Sequence, residues 1–122
     1  MMHSQASAAA SALALAPASY AAGTNNGGWI DARAYQGGIL VSVANGSVTG
    51  SVVFKVQHAS DSGGTGAADI TGATTASISS ANQVNKIVLN ANDHAGWIRV
   101  VATVTTGPVL AGATVHANPG IV

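Results

Sequence analysis

Apolar side chains recur at every second position along much of the chain after residue 28, and this period constrains the fold more than any other feature. In the stretch 51–58, Val52, Phe54 and Val56 alternate with Lys55 and Gln57. A period of two is typical of a strand with one buried face and one face in water. The sequence therefore predicts strands as the main elements of the fold.

Turn residues divide this part of the chain into short segments. Asn45-Gly46 is a strong turn signal, and Thr106-Gly107-Pro108 is short enough to join two strands as a hairpin. The Gly-rich segment 59–68 is predicted to be a loop. We predict about seven strands, at 29–34, 39–44, 51–58, 69–78, 86–90, 97–105 and 109–116. This spacing predicts an all-β fold: a single β-sandwich or jelly-roll-like domain over residues 29–122.

Residues 1–28 differ in composition from the predicted sandwich. Alanine, serine and leucine dominate the stretch 4–23, which predicts either a helix ended by Pro17 or an extended arm. Neither form has a charged face, so we expect this Ala-rich N-terminal arm to lie against a partner or against the domain. Residues 20–28 predict a flexible joint. No Lys or Arg precedes Arg33, so we expect no secretory signal peptide.

Charged residues are scarce throughout the chain. Four Lys or Arg residues and four Asp residues make up 7% of the sequence, with a formal net charge of zero. A soluble domain usually carries about 25% charged residues, and a neutral apolar surface favours association. We therefore predict that other molecules cover part of the surface. Isolated basic residues offer no footprint for nucleic acid, and the apolar run is too short to span a membrane.

No motif predicts catalysis or a bound ion. His58, Ser60 and Asp61 have the residue types of a hydrolytic triad, but all three lie at one strand end and no Gly-x-Ser-x-Gly elbow occurs. The acidic and histidine side chains of the loops match no calcium-binding spacing; these are Asp61, Asp69, Asp93 and His94. We expect no catalytic residue, no metal site and no cofactor.

The run Gly46-Ser47-Val48-Thr49-Gly50-Ser51-Val52-Val53-Phe54-Lys55-Val56-Gln57-His58-Ala59-Ser60-Asp61, followed by Ala68-Asp69-Ile70 and Trp97-Ile98-Arg99-Val100-Val101, resembles small virion proteins of tailed bacteriophages. It is most similar to head decoration, or cement, proteins, in which such strands belong to a β-sandwich. The likeness covers about residues 29–116 and leaves out the arm. It implies a structural protein on the exterior of the phage head, bound to the major capsid protein and commonly trimeric. It also implies no enzyme activity, no cofactor and no small-molecule substrate.

The predicted partner interface combines apolar residues of the arm with aromatic and cationic residues beside the joint: Ala8, Ala9, Leu13, Leu15, Tyr20, Trp29, Arg33 and Tyr35. Two alternatives stay open. One is a tail-tube, tail-tip or fibre module of the virion. The other is a cell-surface carbohydrate-binding module, which would contact a glycan through Trp29, Trp97 or Tyr35.

Overall fold

The computed structural model describes residues 10–118, which form two antiparallel sheets packed face to face. The strands in this range are β1 (Ala10–Tyr20), β2 (Gly23–Asn26), β3 (Ile30–Asp31), β4 (Gln36–Val48), β5 (Ser51–Ala59), β6 (Ala68–Thr74), β7 (Gln83–Asn90), β8 (Trp97–Thr105) and β9 (Val109–Asn118). A 3₁₀ turn at Ala91–Asp93 is the one helical element of the described residues. The predicted all-β sandwich is confirmed, with these strands in place of about seven.

Strand pairing is nested around the loop between β5 and β6. β5 pairs with β6, β4 with β7, β2 with β8 and β1 with β9, all antiparallel. The chain therefore forms one long double-stranded ribbon that wraps around the core. Wrapping places β9 beside β4 and β8 beside β5, which gives sheet A the order β1-β9-β4-β7 and sheet B the order β2-β8-β5-β6, with β3 also on β8. This topology is that of a jelly roll.

The core lies between the sheets and consists of the inward side chains of alternating strands. Val52, Phe54 and Val56 of β5 are fully buried, as their spacing predicts. The facing layer of sheet A is Ile39, Val41, Val43, Ile87, Leu89, Val109 and Val115. Each such side chain contributes about 1.5–3 kcal/mol when fully buried, so this double layer is the main source of stability.

The N-terminal segment is an edge strand of sheet A over its described part. β1 pairs with β9 with two register shifts, one on either side of Leu15. Ala14 and Leu15 enter the core, and the chain then crosses to sheet B, where β2 pairs with β8. The helical form of the predicted arm is therefore wrong for residues 10–20, and the predicted joint contains a strand. Burial of Leu15 and pairing with β9 outweigh the helix propensity of alanine, because a short isolated helix is only marginally stable in water. Residues 1–9 lie outside the described range.

The segment between β8 and β9 crosses from sheet B to sheet A, which corrects the predicted hairpin. Thr106 there adopts a positive φ of 57°. Gly107 lies so close to the β1–β2 crossing that a Cβ atom would be 2.8 Å from the backbone nitrogen of Ala22. The two crossings therefore pack side by side. A turn signal in the sequence does not distinguish such a crossing from a hairpin.

Asn45-Gly46 lies inside β4, which corrects the turn predicted there. Asn45 is buried, and its side-chain nitrogen donates to the carbonyl oxygens of Gly46 (3.0 Å) and Ser80 (2.9 Å). The pairing of β4 with β9 shifts register between Asn45 and Val48, so the dipeptide marks a β-bulge.

Candidate interaction surface

The outer face of sheet A, called the A face below, is almost uncharged. Pairing across the four strands places its residues in rows: Leu13, Thr114, Ser42 and Lys86; Ser11, His116, Leu40 and Val88; Gly112, Ala44 and Val84; Ser19, Leu110 and Gly46. Leu13, Val84, Val88 and Leu110 are the exposed large apolar side chains of residues 10–118, and all four lie on this face. Lys86 is its one charged residue in the described range.

Small residues at the centre of the A face leave a shallow depression. One hollow of about 500 Å³ is lined by Pro17, Ala18, Ala44, Asn45, Gly46, Leu110 and Ala111. A second of about 270 Å³ adjoins it and shares Pro17 and Ala44. Larger side chains such as Leu13 and Leu110 rise at their rims. The face can therefore accept apolar side chains from a partner.

The A face is large enough to be functional but small for a stable dimer. Strands about 4.8 Å apart and a rise of about 3.4 Å per residue give its central part an area of about 400 Å². The largest apolar patch on a monomer is about 300–600 Å² and is often functional. A stable protein–protein interface buries about 800 Å² on each partner. The central part of the face is therefore about half as large as one side of a stable two-body interface.

The outer face of sheet B carries most of the charge. Asp69 accepts hydrogen bonds from Lys55 and from Gln57. The side-chain oxygen Oε1 of Gln57 in turn accepts hydrogen bonds from Nε and Nη2 of Arg99, at 3.0 and 2.8 Å. The hydrogen bond from Gln57 is the main reason that the pKa of Asp69 lies below its ordinary value. The outer face of sheet B is therefore polar, whereas the outer face of sheet A is largely apolar.

Both tryptophans are engaged by arginines on the sheet B side. The Arg99 guanidinium lies 4.5 Å from the ring centroid of Trp29, and that of Arg33 lies 5.2 Å from the ring of Trp97. Arg33 also binds Asp31, and its side-chain hydrogen bonds lower the pKa of Asp31 to about 2. These cation–π contacts occupy one ring face of each indole, and the glycan contact of the carbohydrate-binding alternative would have to displace or share them.

Asp61 organises the loop that follows β5. Its carboxylate accepts hydrogen bonds from the backbone nitrogens of Gly63 (2.9 Å) and Thr65 (3.1 Å) and from the Thr65 hydroxyl (2.6 Å). Ser60 donates to the carbonyl oxygen of Thr65. Ser60 and Asp61 therefore form hydrogen bonds within the loop, and His58 accepts one from Ala95. Residues 10–118 contain no group of three His or acidic side chains that could hold a metal ion.

Two histidines hold the turn that precedes β8. Nδ1 of His58 accepts a hydrogen bond from the backbone nitrogen of Ala95, and Nδ1 of His94 accepts one from Gly96, both at 3.0 Å. Accepting at Nδ1 requires that each ring be neutral at that nitrogen. Burial is the main reason that the pKa of His94 lies below its ordinary value, and the neighbouring His58 lowers it further.

The structure does not bring the predicted interface residues together. Leu13 lies on the A face, whereas Trp29 and Arg33 lie on the sheet B side. Leu15 belongs to the core, and Tyr20 and Tyr35 pack against it. Ala8 and Ala9 lie outside the described residues.

Sequence reasoning missed most of the A face: Leu40, Ala44, Val84, Val88 and Leu110. A signal for it exists in the runs Ile39-Leu40-Val41 and Val109-Leu110, where large apolar residues are adjacent instead of alternating. Such runs are typical of strands that are covered on both sides.

Comparison with known proteins adds likeness of fold only. The sequence matches no protein-family model and no curated protein. Solved structures with a similar backbone include T=1 particles derived from infectious bursal virus, with a TM-score of 0.49 and 14% identity. The Gt strain of infectious bursal disease virus gives 0.46 and 13%, and the VP2 subviral particle of that virus gives 0.43 and 9%.

Each of these matches covers 92% of this chain, and this chain spans about a third of the matched chains, 32–33%. With TM-scores below 0.5, the likeness supports no argument about function. None of the described residues forms a helix long and apolar enough to cross a membrane.

Proposed function

We propose that this protein is a structural component of a bacteriophage particle, a decoration protein that binds the exterior of the head and clamps neighbouring capsomers. The observation that supports the proposal is the A face: a contiguous outer sheet surface with exposed Leu13, Val84, Val88 and Leu110 and a single charge. Jelly rolls occur in capsid proteins but also in lectins and cupins, so the fold alone does not select a function.

The size of the A face fits attachment to a repeating lattice. About 400 Å² per copy is half of what a stable two-body interface buries on each side. Copies joined to one another, for example as the homotrimer that the sequence resemblance implies, would bind several capsid subunits at once, and avidity would then exceed the affinity of any single contact. The major capsid protein is the proposed partner. Catalysis, a cofactor and a small-molecule substrate have no part in this role.

A matched pair of charge insertions tests the proposal. Ala44→Asp places a carboxylate in the central depression of the A face, and Thr103→Asp places one at an exposed strand position on the outer face of sheet B. Burial of an unpaired carboxylate costs several kcal/mol. We therefore expect Ala44→Asp to weaken binding to purified heads that lack this protein at least tenfold, whereas Thr103→Asp binds like wild type.

Circular dichroism checks that both variants are folded. Equal binding of the two variants would contradict attachment through the A face. Electron microscopy of the labelled protein on whole particles gives the location, and copies confined to the tail would contradict decoration of the head in favour of a tail-tube, tail-tip or fibre module.

A further inference from the structure

β7 is the one regular edge strand of the described sheets. β1, at the opposite edge of sheet A, contains Pro17 and two register shifts. In sheet B, β2 and β3 are only four and two residues long, and β6 contains Gly72 at a positive φ of 81° and a shifted register. Prolines, bulges, short length and charged side chains, especially Lys, are the usual devices that prevent an edge from pairing with another strand.

Of these devices, β7 has only a charged side chain, Lys86. It pairs with β4 at eight consecutive positions, from Gly38↔Asn90 to Asn45↔Gln83, with no register shift. Its sequence, QVNKIVLN, contains neither proline nor glycine. Val84 and Val88 are 65% and 71% exposed, the highest values among the large apolar side chains of residues 10–118. The edge strand β7 is therefore regular, with exposed Val84 and Val88 on either side of Lys86.

A groove runs along the start of this edge. A hollow of about 230 Å³ separates β7 from the segment 76–80 and is lined by Ala76, Ser77, Ile78, Ser79, Ser80, Gln83 and Asn85. Serine hydroxyls and the two amide side chains make this lining polar. These hydroxyl and amide groups can form hydrogen bonds with polar groups of an added strand.

Lys86 lies at the centre of β7, and its positive charge would favour a negative charge on a strand paired with β7. The described ion pairs join Arg33 to Asp31 and Lys55 to Asp69, and no described carboxylate lies within ion-pair distance of Lys86. Symmetric antiparallel pairing with β7 of a second copy, centred on this residue, would oppose two lysines, which is unfavourable. A carboxylate at the opposing position is favourable for the same reason.

We infer that β7 is a docking edge for an extended segment of a different protein, which adds to sheet A as a further antiparallel strand. The segment carries Asp or Glu opposite Lys86 and β-branched or other apolar residues two positions to either side, opposite Val84 and Val88. Backbone hydrogen bonds supply affinity, and the alternating side chains supply specificity, as in other cases of strand addition. The inference does not depend on the proposed role in a phage head.

Two synthetic peptides test it: acetylated and amidated Thr-Val-Thr-Asp-Thr-Val-Thr, and the same peptide with Lys at its centre. The assay is a titration of the isotopically labelled full chain followed by backbone amide NMR. We expect amide shifts concentrated in residues 83–90 and about fivefold tighter binding of the Asp peptide, which corresponds to a cross-strand charge preference of about 1 kcal/mol. In Lys86→Glu, an exposed substitution, the preference should reverse.

Shifts concentrated at β1 or β6, or absence of binding by either peptide at millimolar concentration, would overturn the inference. Equal affinities for the two peptides in both wild type and Lys86→Glu would also overturn it, because Lys86 would then have no part in selecting the strand.

Discussion

Replacement of Leu15 by alanine tests whether the N-terminal strand belongs to the folded unit. Leu15 is 2% exposed, whereas Leu13 on the same strand is 57% exposed. Loss of a buried leucine side chain costs about 2–5 kcal/mol in transfer and cavity terms. A value near the lower end, about 3 kcal/mol, fits an edge strand that can partly close the gap. With a urea dependence of about 2 kcal/mol per M, the midpoint should fall by about 1.5 M.

Urea unfolding monitored by circular dichroism and by the fluorescence of Trp29 and Trp97 measures this shift. Leu13→Ala is the matched control, and an exposed position should change the free energy of unfolding by less than about 0.5 kcal/mol. Removal of residues 1–20 should cost more than Leu15→Ala, because it also uncovers the paired edge of β9. Equal midpoints for the two point variants, or a wild-type midpoint for the truncated chain, would refute the reasoning.

Two further predictions concern close packing and protonation. Gly27→Ala should lower the free energy of unfolding by about 1–3 kcal/mol, because the added Cβ would lie 1.9 Å from the carbonyl oxygen of Ala14. Gly28→Ala is the control and should be neutral, because a Cβ there would have no atom within 4 Å. Similar urea midpoints for the two variants would contradict this prediction. The pKa of His94 is lowered in the folded chain, so the unfolded chain binds the proton more readily. The free energy of unfolding should therefore fall as the pH drops from 7.5 to 5.5, by at most about 1.4 kcal/mol per pH unit. His94→Asn, whose amide oxygen can accept the same Gly96 hydrogen bond, should flatten that dependence, and an unchanged slope would exclude His94 as its source.

The fold class could be predicted because alternation is a local property. Val52, Phe54 and Val56 point inward wherever β5 is placed, and the strand order does not affect this. Which strands pair with one another is not a local property. Whether β9 lies beside β8 or beside β4 depends on the energy of the whole wrapped ribbon, and the few residues at 106–108 carry no information about it. The predicted hairpin failed at that point.

The extended form of the N-terminal segment was one of the two predicted forms, but its pairing in sheet A and the existence of the A face were not predicted, for a related reason. Alanine favours a helix and is depleted in strands, so the composition of β1 does not report that it pairs with β9. On the A face, residues from four strands meet only through the register of sheet A. Leu13 and Val88 are 75 positions apart in the chain, and only the fold places them on one surface.

The scarcity of charge predicted that part of the surface is covered, but not which part. The structure shows which outer face carries few charges. Charged side chains are concentrated on the outer face of sheet B and its loops, where they form ion pairs and contacts with the tryptophans. Lys86 is the one charged residue among the described residues of the A face. If the A face is the attached side, the polar network around Arg99 must face solvent, because the two outer surfaces of a sandwich point in opposite directions. The pair Ala44→Asp and Thr103→Asp therefore tests orientation as well as attachment: loss of binding only in Thr103→Asp would mean that the molecule is attached by its polar side.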